Sequence, residues 1–319
     1  MRILLALAAA LTLTVTHARA AEYPEKPIRV IIPFGPGSAT DVIPRIVLDK
    51  LGSQIGQQFI IENKGGAGGT IGEGIVAKAD PDGYMLLTTS SAHTIAPALY
   101  SNLSYDTSRD FTPIGAIGSV PNVLIIAPSR GIKTIQEFVA AAKSKPDALS
   151  FASLGVGSAV HMSAERFRFS AGYQAVHVPF KGGAEALTEV MAGRVDYYFC
   201  PIATALPFIQ EGKLLALAVS SPTRAPALPD VPTTLEAGFV NSDYTFWIGM
   251  LAPAKTPEAI VAKLNAALIQ AVQNPEVKAK LEKLGVVTAN QSPAAFGKMV
   301  KDELGTYAAF AKSAGMKTN

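Results

Sequence analysis

Cysteine is almost missing from this sequence. The 319 residues hold one, Cys200, so no intramolecular disulfide can form even in an oxidising compartment, and stability must come from packing. A buried, inert thiol is the expectation there. Histidine is also scarce, with four in all. There is no H-E-x-x-H and no cysteine pair, so no metal site or cofactor is signalled. Neither sign of charge dominates: 28 Lys and Arg stand against 25 Asp and Glu, a formal net charge of +3. That excludes the basic field a nucleic-acid partner requires. Beyond the first twenty residues no apolar run approaches the roughly 20 residues of a membrane-spanning helix.

The first twenty residues differ from the rest. Arg2 precedes an apolar stretch from Ile3 to Val15, and Ala18-Arg19-Ala20 closes it with an A-x-A cleavage pattern. This is a secretory signal, with cleavage after Ala20. Ala21 rather than Cys follows, so no lipid anchor is indicated, and no twin arginine precedes the apolar stretch. Removal of Arg2 and Arg19 lowers the formal charge from +3 to +1. The expected mature chain, residues 21–319, is an exported periplasmic protein, long enough for two domains.

Nearly continuous apolar runs at Ile28 to Pro33, Phe59 to Ile61 and Tyr84 to Thr89 suggest parallel strands covered on both faces. Helical patterns separate them, one carrying Val42, Ile43, Ile46, Val47 and Leu51, the other Ile71, Ile75 and Val76. A second series starts at Val123 to Pro128, continues into a helix opened by the capping box Thr134 to Glu137, and supplies strands at Leu149 to Ser153, Ala175 to Phe180, Val195 to Cys200 and Leu214 to Val219. After a proline-rich excursion, Tyr244 to Pro253 is a strand, Thr256-Pro257 caps a helix, and Asn274-Pro275 starts another. The fold class is α/β, with two doubly wound halves and a ligand cleft between them. The first domain takes 21–120 plus 249–319, and the second takes 121–248.

In such sheets ligands bind beyond the carboxyl ends of the strands, where loops enter helix N-termini whose free N–H groups favour anions. The first such loop holds Phe34, Gly35, Pro36, Gly37, Ser38, Ala39 and Thr40. Asp41 is expected to be the N-cap that follows it, because Pro44 then falls at the third helical position. The second loop holds Gly66, Ala67, Gly68 and Gly69, whose glycines let a ligand approach the main chain. Gly72 to Ala77 fits G-x-G-x-x-A only formally, since it lies inside the helix pattern, so a dinucleotide is not expected. In the second half the matching loops contain Ser153, Gly157 and Ser158, then Lys181, then Cys200 and its successors. Ser158 is expected to cap a helix with His161 in its first turn, and the surrounding residues are not a G-x-S-x-G elbow, so catalysis is not expected. Lys64 and Lys181 are the nearest cations, both expected in solvent. Of Tyr197, Tyr198 and Phe199 most are expected in the core, because neighbours in a strand point to opposite faces, with one ring in reach of the cleft.

With these residues in view, the chain resembles the Bug-type solute-binding receptors of tripartite tricarboxylate transporters. The segments PFGPGSATD, ENKGGAGGTIG, PDGYMLL, HVPFKGGAEAL, AGRVDYYF, LPDVPTTLEAG and WIGMLAP occur in order. The resemblance implies a two-domain periplasmic-binding-protein fold of type II kind, a closing cleft, a small organic carboxylate as ligand, and transfer to two integral membrane subunits by a monomer that is not an enzyme. It places the carboxylate against Phe34 to Thr40 and Gly66 to Gly69. Ser90, Ser91, Ser153, Gly157, Ser158, Lys181 and the Cys200 loop would discriminate among di- and tricarboxylates, acidic amino acids and aromatic carboxylates, and the rings near Cys200 tilt that choice toward an aromatic or extended apolar carboxylate. Ser38 stands where the family often has a second glycine. A sensor reporting to a membrane kinase and an exported small-acid enzyme are the competing readings.

Overall fold

The computed structural model describes residues 23–145 and 149–316, so the signal segment and its cleavage site lie outside the described residues. The first lobe opens with β1 (Ile28–Ile32), α1 (Ala39–Ile55), β2 (Phe59–Asn63), α2 (Thr70–Val76), β3 (Met85–Ser90) and α3 (Ala92–Leu99). Strand β4 (Phe111–Ile126) then runs from the first lobe into the second. The second lobe follows with α4 (Ile135–Ser144), β5 (Ser150–Ser153), α5 (Ala159–Ala171), β6 (Val176–Pro179), α6 (Gly183–Met191), β7 (Tyr197–Pro201), α7 (Ile202–Gln210) and β8 (Leu215–Val219). The chain returns through β9 (Thr245–Pro253) and ends with α8 (Glu258–Gln273), α9 (Pro275–Lys283), β10 (Val287–Thr288) and α10 (Pro293–Ser313).

The strands form one curled mixed sheet in the order β2-β1-β3-β9-β4-β7-β5-β6, with β8 and β10 also paired to β4. Pairing of β1 with β2 and β3 is parallel, as is that of β5 with β6 and β7. Strand β4 joins the lobes. Its first part pairs antiparallel with β9 as far as Pro121 opposite Thr245, and from Asn122 it pairs with β7. The divisions expected at 120/121 and 248/249 fall inside β4 and β9. The sequence pattern showed β4 only from Val123, because Pro113, Gly115, Gly118 and Pro121 interrupt the apolar run before it. Two register shifts against β9, at Pro113/Gly115 and Ala116/Gly118, absorb the first three, and Pro121 ends the pairing with β9 opposite Thr245.

Both faces of each lobe's sheet are covered, as the continuous apolar runs require. Val30 and Ile32 join Ile43, Val47 and Leu51 of α1 and Leu264 and Leu268 of α8 on one face, while Ile31 meets Val76, Trp247 and Phe296 on the other. In the second lobe Tyr198 and Cys200 face one core and Tyr197 and Phe199 the opposite one. All three rings at 197–199 are therefore buried, and none is left for the cleft, which removes the basis for favouring an aromatic acid. On α2 the expected apolar stripe is divided: Val76 is buried, but Ile71 is 54% and Ile75 38% exposed. The helix lies against β1 through Gly72, where a Cβ would come within 2.8 Å of the Pro33 side chain.

Three helix starts show how local chemistry sets the elements. Thr134 and Glu137 form the reciprocal capping box. Asn274 accepts from the Glu276 and Val277 amides with Pro275 at the first helical position. The helix expected to be capped by Thr256 instead starts after Pro257, and Thr256 Oγ1 donates to Pro253 O at 2.8 Å.

Candidate ligand cleft between the lobes

The turn between β1 and α1 departs from the sequence expectation. Ser38, not Asp41, is the N-cap, so Pro44 lies inside the helix and forfeits one helix hydrogen bond. Asp41 is engaged elsewhere. Its carboxylate accepts from Gly37 N–H at 3.0 Å, Arg45 Nε at 2.8 Å and Asn63 Nδ2 at 2.9 Å. Burial by itself raises the Asp41 pKa, but the bonds from Arg45, Asn63 and Gly37 together outweigh it and hold the group below the ordinary carboxylate value. Asn63 also donates to Phe34 O at 2.9 Å, so the end of β2 is tied to the first loop.

The β5–α5 turn repeats this construction. Gly35-Pro36-Gly37-Ser38-Ala39 and Gly155-Val156-Gly157-Ser158-Ala159 share the pattern G-x-G-S-A. Gly37 and Gly157 both take left-handed φ, +77° and +80°, which a side chain would strain by roughly 1–2 kcal/mol. Ser38 and Ser158 share extended backbone angles as N-caps, as was expected of Ser158. His161 takes the position of Asp41, its Nδ1 accepting from Gly157 N–H at 3.4 Å. Burial, with the neighbouring His177 and Arg168 charges, pulls the His161 pKa down to about 3, so this side chain is neutral.

The two turns face each other. A Cβ at Gly35 would come within 2.7 Å of Lys181 O, and one at Gly68 within 2.2 Å of Val156 O. Tyr100 Oη donates to Val156 O at 2.8 Å across the gap. The lobes are thus closed, and the glycines are needed because main chain meets main chain. Between the lobes remains a cavity of about 20 Å³, room for roughly one water-sized group. Phe34, Ser38, Ala39, Thr40, Ser90 and Ser158 line it, all from the predicted set. The remaining wall is Leu154, Ala159, Val160, Pro201 and Phe246. Ala159 and Val160 were within reach of sequence reasoning through the repeated G-x-G-S-A turn. Phe246 carried no local signal, because β9 enters the cleft from elsewhere in the chain. Three larger depressions, of about 700, 670 and 430 Å³, lie outside the cleft, along α1 and β2, between α3 and α10, and where α10 meets β4 and β9.

The other predicted residues stand around this cavity. Gly35, Gly37 and Gly68 shape the contact between lobes, and a Cβ at Gly69 would come within 3.2 Å of the Phe34 ring. Gly66 borders Ile71, and Ala67 and Pro36 are exposed. Ser91 Oγ lies 2.6 Å from Tyr244 Oη, and Ser153 Oγ 2.5 Å from His177 Nε2. The Lys181 side chain is in solvent, and Lys64 pairs with Glu62 at 3.5 Å. Cys200 is fully buried, its Sγ 3.0 Å from Thr204 Oγ1, and burial pushes its thiol up to about 12. Sequence reasoning did not foresee the buried anchor behind the second glycine loop. Glu73 of α2 accepts from Thr89 Oγ1 at 2.8 Å and Tyr105 Oη at 2.7 Å and pairs with His93 Nδ1 at 2.9 Å.

Chemically, this arrangement can hold an anion. The first-turn N–H groups of Ala39, Thr40, Ala159 and Val160 have no partner within their helices, and the positive ends of α1 and α5 border one space. Ser158 Oγ donates to Gly155 O at 2.7 Å and accepts from His161 N at 3.3 Å. Among the described residues no group of three or more His, Cys, Asp or Glu could hold a metal, and no helix is long and apolar enough to cross a membrane.

Comparison with known proteins agrees with this geometry. The family model described as the tripartite tricarboxylate transporter family receptor matches residues 43–316. The chain belongs to this family. Three solved structures superpose closely on this receptor. The periplasmic binding protein BugD has a TM-score of 0.90 at 33% identity, covering 93% of this chain and all of that one. Rpa4515 of R. palustris, solved with adipate, gives 0.89 at 30% identity, covering 93% of this chain and 100% of that one. MatC from Rhodopseudomonas palustris, with bound malate, gives 0.86 at 34% identity, covering 90% and 99%. The two-lobe architecture of this receptor is theirs, and its role is that of a solute-binding protein.

Proposed function

We propose that this receptor captures a small organic carboxylate between its lobes in the periplasm and delivers it to the membrane subunits of a tripartite transporter. The observation that carries this reading is the convergence of two G-x-G-S-A helix N-termini, those of α1 and α5, on one closed cavity. The dipole of each helix end is equivalent to roughly half a positive charge, and hydrogen bonds from N–H and hydroxyl donors to a carboxylate contribute roughly 1.5–3 kcal/mol each. Such binding is reversible, as delivery requires. The adipate and malate in the two R. palustris structures support a carboxylate as ligand. The leader at residues 1–20 and the periplasmic description of BugD support export.

A thermal-shift screen of residues 21–319 against carboxylates, with the matching amides as controls, tests the proposal. Ligand at about 100 times its dissociation constant stabilises the fold by roughly 2.7 kcal/mol. An acid that raises the melting temperature while its amide does not is the expected result. A panel in which amides shift the melt as much as acids would sink the carboxylate reading.

A further inference from the structure

Tyr100 belongs to the first lobe but bonds to the second. It is the C-cap of α3, its N–H donates to Ala96 O at 2.9 Å, and its ring packs against the core that includes Ile95 and Leu99. Its hydroxyl nonetheless donates to Val156 O of the β5–α5 turn at 2.8 Å. That turn closes on a different carbonyl, Gly155 O, which accepts from Ser158 N at 3.1 Å and from Ser158 Oγ at 2.7 Å. The Val156 carbonyl is turned toward the first lobe instead, between two glycines with left-handed φ of +102° and +80°. Burial raises the Tyr100 pKa above the ordinary tyrosine value, so the phenol stays a donor at neutral pH.

Three segments meet at this bond. A Cβ at Gly68 would lie 2.2 Å from Val156 O and 3.1 Å from Tyr100 Oη, and one at Gly155 would lie 3.1 Å from Gly68 N. At Gly157 a Cβ would lie 3.4 Å from both Leu99 Cδ1 and Tyr100 Cε2. The second glycine loop, the end of α3 and the α5 turn are thus held together by close main-chain packing, to which the phenol adds a directional bond. Every group in this contact belongs to the protein. When the lobes part, the hydroxyl and the carbonyl each pass to water, so only the net value of the bond counts. That value is a roughly two- to twelvefold change in the closed-to-open ratio, the equivalent of about 0.5–1.5 kcal/mol.

We propose that Tyr100 is a positioning residue for capture: the bond from its hydroxyl to Val156 O holds the α5 turn against the first lobe and maintains a closed form that the solute joins and does not have to create. This rests on the reading above that solute is captured between the lobes, and it is independent of which solute that is. Release of a bound solute requires the same bond to break, whereas entry into the open cleft does not, so the latch acts on the dissociation rate.

Pulsed electron–electron resonance on the solute-free mature chain tests it, with nitroxides on Lys78→Cys in the first lobe and Glu185→Cys in the second. Both positions are exposed, and the native Cys200 is fully buried and stays unlabelled. Gly68→Ala in the same background supplies the open reference, because its Cβ would collide with Val156 O. Tyr100→Phe keeps the ring and removes only the hydroxyl. The labelled chain should show two distances, the shorter that of this structure, and Tyr100→Phe should lower the short-to-long ratio about two- to twelvefold with an unchanged circular-dichroism spectrum. An equal ratio with and without the hydroxyl overturns the proposal. So does a solute-free chain that shows only the longer, Gly68→Ala distance, since the latch then does not close the lobes by itself, and capture by a solute-driven closure still stands. The short distance alone in all three chains shows lobes that do not part, and brings down the capture reading together with the latch.

Discussion

The turns at 35–39 and 155–159 share the sequence G-x-G-S-A and nearly the same backbone, yet they are finished differently. In the first lobe the residue three after the serine is an aspartate, kept anionic by Arg45, Asn63 and the Gly37 amide. In the second it is a histidine, kept neutral by burial and by the charges of His177 and Arg168. Both side chains accept from the glycine N–H before the cap. The turn thus needs an acceptor there but is indifferent to its charge. The serines differ as well: Ser158 closes its own turn, whereas Ser38 leaves its hydroxyl facing the cavity. Equal backbones can therefore carry unequal functions, one turn supplying scaffold and the other an open donor.

The comparison can be broken most severely at its charged member. Asp41→Ala leaves Arg45, Asn63 and the Gly37 amide without their acceptor and should cost about 3 kcal/mol in urea unfolding, at the low end for a buried ion pair because Arg45 is half exposed. Acid should act on the other turn. The folded His161 pKa lies below its unfolded value, so the unfolded chain binds more protons between about pH 6.5 and pH 3. Stability is then complete above pH 6.5 and falls through that window by about 1.4 kcal/mol per unit, or about 2 kcal/mol at pH 5. His177, also lowered chiefly by burial, acts in the same direction. His161→Gln, which keeps a carbonyl acceptor and cannot titrate, should flatten this part of the profile, and an unchanged acid slope would refute the assignment.

Smaller effects sharpen the equivalence of the backbones. Gly37→Ala and Gly157→Ala should each destabilise by roughly 1–2 kcal/mol, because both positions hold left-handed φ. A difference larger than that between the two variants would show that the turns are not alike. Smallest and most diagnostic is the serine pair. Ser158→Ala should cost about 1 kcal/mol as a lost cap, whereas Ser38→Ala should cost nothing or stabilise, as read by paired thermal melts without ligand.

Much of the fold was legible because its signals are local. Continuous apolar runs at Ile28, Tyr84 and Val195 mark strands covered on both faces, and Thr134 and Asn274 mark helix starts through bonds made within one turn. The loops of the site were legible for the same reason, since glycine and serine clusters between a strand and a helix need a special backbone. Where local reasoning erred, a distant group intervened. Asp41 has the side chain of a cap, but Asn63, from the end of β2, and Arg45 draw it to another role. Ile71 and Ile75 repeat at helical spacing, yet the glycine at 72 presses the opposite face of α2 to the sheet.

By itself, then, the sequence determined the α/β class and the loops that line the cleft, because each depends on residue types within a few positions of one another. Only the tertiary structure decided that β4 binds the two lobes into one curled sheet, that Phe246 joins the cleft, that the rings at 197–199 stay in the cores, and that one of two matching serines borders the cavity with its hydroxyl unpartnered. Those outcomes depend on which segments distant in the chain come within a few ångströms of each other, and no short pattern encodes that.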